Sequence, residues 1–248
     1  MKKDKKIAKN TDDFQIVGGK KLSGTIKTNY SKNGAMGLFC ASLLNKDVTV
    51  LNGIPRIEEI ARAIEIFESI GVKAEWIDKN SIKITPPKKF KLNNIDMKSA
   101  GRIRSVLMMI GSLIHSESKF NIPHEGGCKM GQRTIAAHRY GLEELGVKIV
   151  TKETHYEVSY KKLKPAEVVM YEASDTATEN LLMAAALIPG KTILKFCPPN
   201  YQVQDVCFFL EKCGVKIDGI GTTTLTVHGI KEINQKIEYT NSEDPIES

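Results

Sequence analysis

The run Pro123-His-Glu-Gly-Gly-Cys-Lys-Met-Gly-Gln-Arg133 sets three glycines, a thiol and two cations between a segment with strand alternation and one with helical spacing. Backbone N–H groups at a helix start, close main-chain approach at glycine and the bidentate guanidinium of Arg133 together suit a phosphate or carboxylate. Cys128 lies beside Lys129 and near the helix start, a setting that lowers a thiol pKa and makes the group reactive or a usable proton donor. Taken alone, a Gly-Gly-Cys run is more often a glycine turn with an incidental buried thiol. Arg133 weighs against that plainer reading.

Two other places carry charge at a helix start. Ser31-Lys32-Asn33-Gly34 opens one helix, so Lys32 and Asn33 stand where the first turn of an α/β unit faces a ligand. Arg102 and Arg104 lie near the start of a second helix. In isolation both are read more simply as solvated polar residues. Met108 and Met109 are core candidates. His115, His138, His155 and His228 lack ligand spacing, and the five cysteines contain no C-x-x-C pair, so neither a metal site nor a disulfide framework is expected.

The elements that must position these residues are written three times. Glu68-Ser-Ile-Gly-Val-Lys73, Glu143-Glu-Leu-Gly-Val-Lys148 and Glu211-Lys-Cys-Gly-Val-Lys216 each end a helical run at a glycine and begin a strand. Their spacing exceeds solenoid periods, so each copy is a larger unit of helix, strand, helix, strand, strand. The first helices are expected over 33–44, 100–114 and 177–187, with Ser31, Ser99 and Ser174 or Thr176 as N-caps. The second helices are expected over 57–70, 133–145 and 203–213. The units cover about 31–85, 99–160 and 174–228 of a domain running from 14 to 230. Residues 1–13 read as a disordered basic tail, 14–19 and 22–27 as short strands, and 231–248 as a polar segment without a completed element.

At 248 residues and 41% hydrophobic, the chain can bury a good core without covalent staples. No apolar run reaches the roughly 20 residues of a membrane span, and Met1-Lys-Lys-Asp-Lys-Lys lacks the apolar region of a secretory signal, so the cytoplasm is the default compartment. A net charge of +7 suits an anionic partner. With 6% aromatics and no recognition module, a small phosphorylated ligand fits better than nucleic acid.

Together, Lys32-Asn33, Arg104 and Gly126-Gly-Cys128-Lys-Met-Gly-Gln-Arg133 resemble, in order and spacing, the UDP-N-acetylglucosamine 1-carboxyvinyltransferases, enolpyruvyl transferases that begin peptidoglycan precursor synthesis. The resemblance spans about 16–248 and includes Lys21-Leu-Ser-Gly-Thr-Ile-Lys27 and the three Gly-Val-Lys junctions. It implies an inside-out α/β barrel, with three repeats making one domain of an expected two. It also implies transfer of the enolpyruvyl group of phosphoenolpyruvate to the 3-hydroxyl of UDP-N-acetylglucosamine with loss of phosphate, without metal or organic cofactor. On that resemblance Cys128 delivers a proton to the phosphoenolpyruvate methylene carbon, and Lys32 and Arg133 hold the phosphate and carboxylate. Asn33 and Arg104 orient the sugar nucleotide, Ser174 falls in the uridine-diphosphate loop, and Asp244 matches the segment where the chain re-enters its other domain.

Three places depart from the family pattern. Arg133-Thr-Ile-Ala-Ala137 replaces Arg-Pro-Val-Asp-Leu, Glu172 stands where the family has a lysine, and Pro245 replaces an arginine. The body of a second domain, with its general base and further arginines, has no counterpart in the chain. The expectation is therefore a half-enzyme that needs a second-domain polypeptide. A non-catalytic sugar-nucleotide-binding paralogue is the alternative; the shikimate-pathway activity is disfavoured by Asn33 and Cys128.

Overall fold

Three stretches of the chain are mostly apolar or small beyond their first turn or two, which suits the interior and not a surface. A computed structural model, describing residues 18–21, 23–124 and 134–246, puts them at the centre. They are α1 (Lys32–Ser42), α4 (Met109–Leu113) and α6 (Asp175–Ala186). Residues 34–42, the whole of α4 and residues 177–186 are buried. Around them lie α2 (Glu58–Ser69), packed on α1, α5 (Ala136–Glu144), packed on α6, and α7 (Tyr201–Lys212), packed on α1 and α6. Ile60, Ala63, Ile66 and Phe67 give α2 a single buried stripe, as an amphipathic helix requires.

The strands form three sheets on the outside of this bundle, each with one face on the core. In sequence order they are β1 (Thr49–Asn52), β2 (Lys73–Trp76) and β3 (Ile82–Thr85), then β4 (Lys119–Pro123), β5 (Val147–Thr151) and β6 (His155–Tyr160). The third set is β8 (Gly190–Lys195), β9 (Lys216–Asp218) and β10 (Thr224–Gly229). Each set has the same antiparallel order, with its last strand in the middle: β1-β3-β2, β4-β6-β5 and β8-β10-β9. The helix-ending glycines are equally alike, Gly71, Gly146 and Gly214 standing at φ of 93°, 95° and 92°. Only glycine takes that left-handed position without steric cost. Helices inside and sheets outside are the inside-out α/β arrangement expected above.

Two strands were not foreseen. β7 (Glu167–Val169) pairs in parallel with β8, and β11 (Ile237–Thr240) pairs in parallel with β1. The segment 231–248 is thus corrected: it holds a strand whose alternation of Ile237 and Tyr239 with Glu238 and Thr240 is obscured by polar neighbours. At the matching place beside β4 stands a 3-10 turn, Leu92–Asn94. The chain leaving each unit therefore reaches the sheet of the next, and the last returns to the first.

The helix expected over 100–114 is also corrected. A short α3 (Met97–Ala100), capped by Asp96 and not by Ser99, is followed by Ile103 in extended conformation, a 3-10 helix Arg104–Met108 and then α4. Asn180 of α6 accounts for the change of helix type. Its Oδ1 accepts the Gly111 N–H at 2.6 Å and its Nδ2 donates to the Leu107 carbonyl at 2.9 Å, so its amide replaces the i to i−4 bond between those two residues. A Cβ on Gly111 would lie 2.1 Å from the Asn180 carbonyl oxygen, which fixes that residue as glycine. Ser23 to Lys27, expected as a strand, has no regular structure, and 14–17 lie outside the described residues.

Candidate active site

The central helical segments of the three units begin at one cavity of about 280 Å³. Lys32 and Asn33 come from α1, Arg104 and Ser105 from the 3-10 helix, and Asp175, Thr176 and Glu179 from α6. Met36, Met108, Glu59 of α2, His138 of α5 and Gln202 of α7 complete it. Converging helix starts carry partial positive charge and unpaired N–H groups, which favours an anion. Ser31 caps α1 by accepting the Gly34 N–H at 2.9 Å, and its hydroxyl also meets the Tyr201 hydroxyl at 3.0 Å.

The two cations are held by different means. Glu59 binds Lys32 Nζ at 2.8 Å and accepts the Ser105 hydroxyl at 2.8 Å, tying α2 to two of the helix starts. Arg104 donates to the Thr134 carbonyl at 3.1 Å, which links it to the residue just beyond the Cys128 loop. Such a charge, partly desolvated and held in place, suits a phosphate or carboxylate.

His138 is held neutral. Asn180 Nδ2, its orientation fixed by Leu107 and Gly111, donates to His138 Nδ1 at 3.0 Å. The ring proton therefore sits on Nε2, which faces the Thr176 hydroxyl at 3.4 Å. Burial, with Arg104 nearby, pushes the imidazole down to about 4.

Of the residues singled out from sequence, Lys32, Asn33 and Arg104 meet at this cavity. Ser174 is the α6 N-cap, accepting the Ala177 N–H at 3.4 Å, and is not among the lining residues. Asp244 is 3% exposed and is not among the lining residues; its Oδ1 accepts the Ile246 N–H and its own N–H donates to the Asn29 carbonyl. Cys128 and Arg133 lie outside the described residues. Ala136 opens α5 and Glu172 is exposed, neither lining the cavity. Glu59, Ser105, His138, Asp175, Thr176, Glu179 and Gln202 were not anticipated. Their one sequence signal is position, since most fall within the first two turns of a helix in one of the three units.

Helix starts gathered at one cavity, inside a shell of three like sheets, define an inside-out α/β class whose three repeats meet at a single polar cavity. The chain belongs to the EPSP synthase (3-phosphoshikimate 1-carboxyvinyltransferase) family, whose pattern matches residues 16–248. It is similar to UDP-N-acetylglucosamine 1-carboxyvinyltransferase of Treponema denticola, 35% identical over 90% of this chain and 52% of the relative. It is likewise similar to the protein of that name in Bradyrhizobium diazoefficiens, 36% identical over 87% of this chain and 50% of the relative. The chain thus spans about half the length of the curated relatives it matches. Among solved structures, the enolpyruvyl transferase NikO of Streptomyces tendae superposes with a TM-score of 0.79 at 20% identity, covering 93% of this chain and 54% of NikO. EPSP synthase of Acinetobacter baumannii gives 0.69 at 15% identity, over 89% of this chain and 50% of its own. These likenesses establish the fold. No helix among the described residues is long and apolar enough to cross a membrane.

Proposed function

We propose that this chain forms one domain of an enolpyruvyl transferase that moves the enolpyruvyl group of phosphoenolpyruvate to the 3-hydroxyl of UDP-N-acetylglucosamine and releases phosphate. The observation that carries this reading is the meeting of Lys32, Asn33 and Arg104, from two helix starts far apart in sequence, at one cavity. The relatives' names agree with it.

On this reading Lys32 and Arg133 hold the phosphate and carboxylate of phosphoenolpyruvate, and Asn33 and Arg104 orient the sugar nucleotide. Cys128 gives a proton to the methylene carbon of phosphoenolpyruvate, which makes the neighbouring carbon electrophilic. The 3-hydroxyl then attacks that carbon and gives up its own proton, and loss of one proton from the new methyl group together with phosphate forms the enol ether. Ser174 supports the start of α6 beside the nucleotide, and Asp244 belongs to the crossing into a second domain. The reaction needs a second wall to exclude water and align the hydroxyl, an effect worth roughly 7–11 kcal/mol. A second domain, in the same or in another polypeptide, is therefore expected to complete the site, and the substrates make the cytoplasm the expected compartment.

The test is phosphate release from phosphoenolpyruvate and UDP-N-acetylglucosamine, with and without a polypeptide carrying the second domain. Release only in the complemented mixture supports the reading; none in either mixture rejects catalysis. Tight nucleotide binding without release would favour the non-catalytic paralogue, for which the exposed Glu172 and the apolar Ala136 speak.

A further inference from the structure

Asn180 fixes the hydrogen-bonding roles of His138, a ring only 4% exposed in the wall of the cavity. Both polar atoms of the Asn180 amide are committed to the backbone of the second unit, Oδ1 to the Gly111 N–H and Nδ2 to the Leu107 carbonyl, so the amide cannot turn over. Nδ2 therefore also donates to His138 Nδ1, and the ring carries its proton on Nε2. Nε2 lies 3.4 Å from Thr176 Oγ1. A neutral imidazole with Nδ1 already accepting can only donate through Nε2, so Thr176 Oγ1 is the acceptor in that contact.

Thr176 is the second residue of α6, exposed at the cavity. No described residue other than His138 hydrogen-bonds its hydroxyl, so the Thr176 proton points away from the ring and is left for a ligand. The neighbouring polar groups have other duties. Asp175 accepts the amides of Asn200 and Gln202 with its two oxygens, both at 2.8 Å, and Ser174 Oγ accepts the Ala177 N–H. Arg104 lines the same cavity and is close enough to His138 to oppose its protonation. A cation beside a helix start and a hydroxyl turned into a donor suit an oxygen of a phosphate. A hydroxyl free to accept as well would serve a sugar hydroxyl equally, so the histidine behind it gives the contact its sense.

We propose that Thr176 reads the diphosphate of a nucleotide held at the start of α6, its hydroxyl donating to a phosphate oxygen, and that His138 is the positioning residue that sets the direction of that donation. This rests on the reading of the cavity as a sugar-nucleotide site and agrees with the place of Ser174 beside the nucleotide. The relay runs from the backbone of the second unit through Asn180 and His138 to the ligand, so two of the three units act on one phosphate contact.

The test titrates the full chain and its variants with UDP by calorimetry, with uridine as the control that lacks phosphate. Thr176→Val keeps the shape and removes the hydroxyl, and is expected to weaken UDP about fivefold or more without weakening uridine. Thr176→Ser, which keeps the hydroxyl, is expected to stay within about twofold of the unaltered chain. His138→Phe is expected to weaken UDP about threefold with Thr176 in place and to cost nothing further in the Thr176→Val background. UDP affinity unmoved by Thr176→Val overturns the proposal, as does Thr176→Ser binding no better than Thr176→Val, or an equal loss for uridine. A His138→Phe loss of the same size in both backgrounds also overturns it, because that is the mark of a merely structural role. Should His138→Phe fail to fold, the imidazole nitrogen chemical shifts of His138 in the unaltered chain decide its part: the neutral Nε2–H form supports the proposal, and the Nδ1–H form or an imidazolium at about pH 7 overturns it. If the unaltered chain binds inorganic pyrophosphate but not UDP, the sugar-nucleotide reading falls, and the same comparison made with pyrophosphate decides the role of Thr176. Binding of neither overturns both.

Discussion

Lys32 meets Glu59 through an ion pair whose side chains are 45% and 21% exposed, so an anionic ligand that takes Lys32 competes with a partly solvated carboxylate. Lys32→Ala is expected to weaken phosphoenolpyruvate binding about tenfold or more, since a hydrogen bond to a charged group is worth roughly 1.5–3 kcal/mol; isothermal titration checks this. Cys40, Cys197, Cys207 and Cys213 are all buried, and burial drives their thiols up, Cys197 to about 11 and Cys213 to about 12. Cys128 is therefore expected to react with a small anionic epoxide well ahead of the other four, read by peptide mass spectrometry; equal labelling would reject the anion-site reading of its loop. Lys32, Asn33 and Arg104 were legible only together, through an order and spacing that resemble the family's; singly, a cation or amide at a helix start reads as a solvated cap. Glu179 and Gln202 were not. An acid or amide inside a helix usually marks a solvated face, and only the packing of α6 against α7 and α1 puts these two in the interior.

At the scale of elements, the three repeated glycines share a conformation but not surroundings. A Cβ on Gly214 meets nothing within 4 Å, whereas one on Gly146 would stand 2.5 Å from the Lys162 carbonyl oxygen. Gly214→Ala is expected to cost about 1–2 kcal/mol, the strain of a left-handed alanine. Gly146→Ala is expected to cost more, because backbone must also shift; urea denaturation of the two variants ranks them. The glycine signal and the switch between helical and strand periodicity made most of the repeat readable. Two features resisted. The irregular helix of the second unit follows from the side chain of Asn180, which lies on a different unit and leaves no local trace near Gly111. The strands β7 and β11 are short edge elements bound on one side only, so neither needs a strong apolar alternation.

For the whole molecule, buried titratable groups make stability depend on pH. His115, held by its Nε2 bond to the Ala184 carbonyl at 2.9 Å, is pushed by burial to about 4 from an ordinary 6.5. The unfolded chain takes up that proton first, so the contribution of His115 is complete above pH 6.5 and is lost as pH falls toward 4. His138 acts in the same direction. Glu179, Asp175 and Asp205 are raised and act oppositely: they favour the folded state more as pH falls through their raised values. The histidine part is isolated by difference. Between pH 6.5 and 4 the unfolding free energy of the unaltered chain relative to His115→Gln is expected to drop by on the order of 3 kcal/mol, as 1.36 kcal/mol per pKa unit implies, measured by urea titration at several pH values. The pairing of β11 with β1 and the bridge between Tyr30 and Glu243 bring the opening and closing segments of the three-unit ring side by side. Such a ring has no privileged starting point. A circular permutant that joins the backbone near residues 30 and 243 and opens instead at the exposed turn 77–80 is expected to keep its melting transition, because the order of units around the centre, and not the place where translation begins, defines this domain.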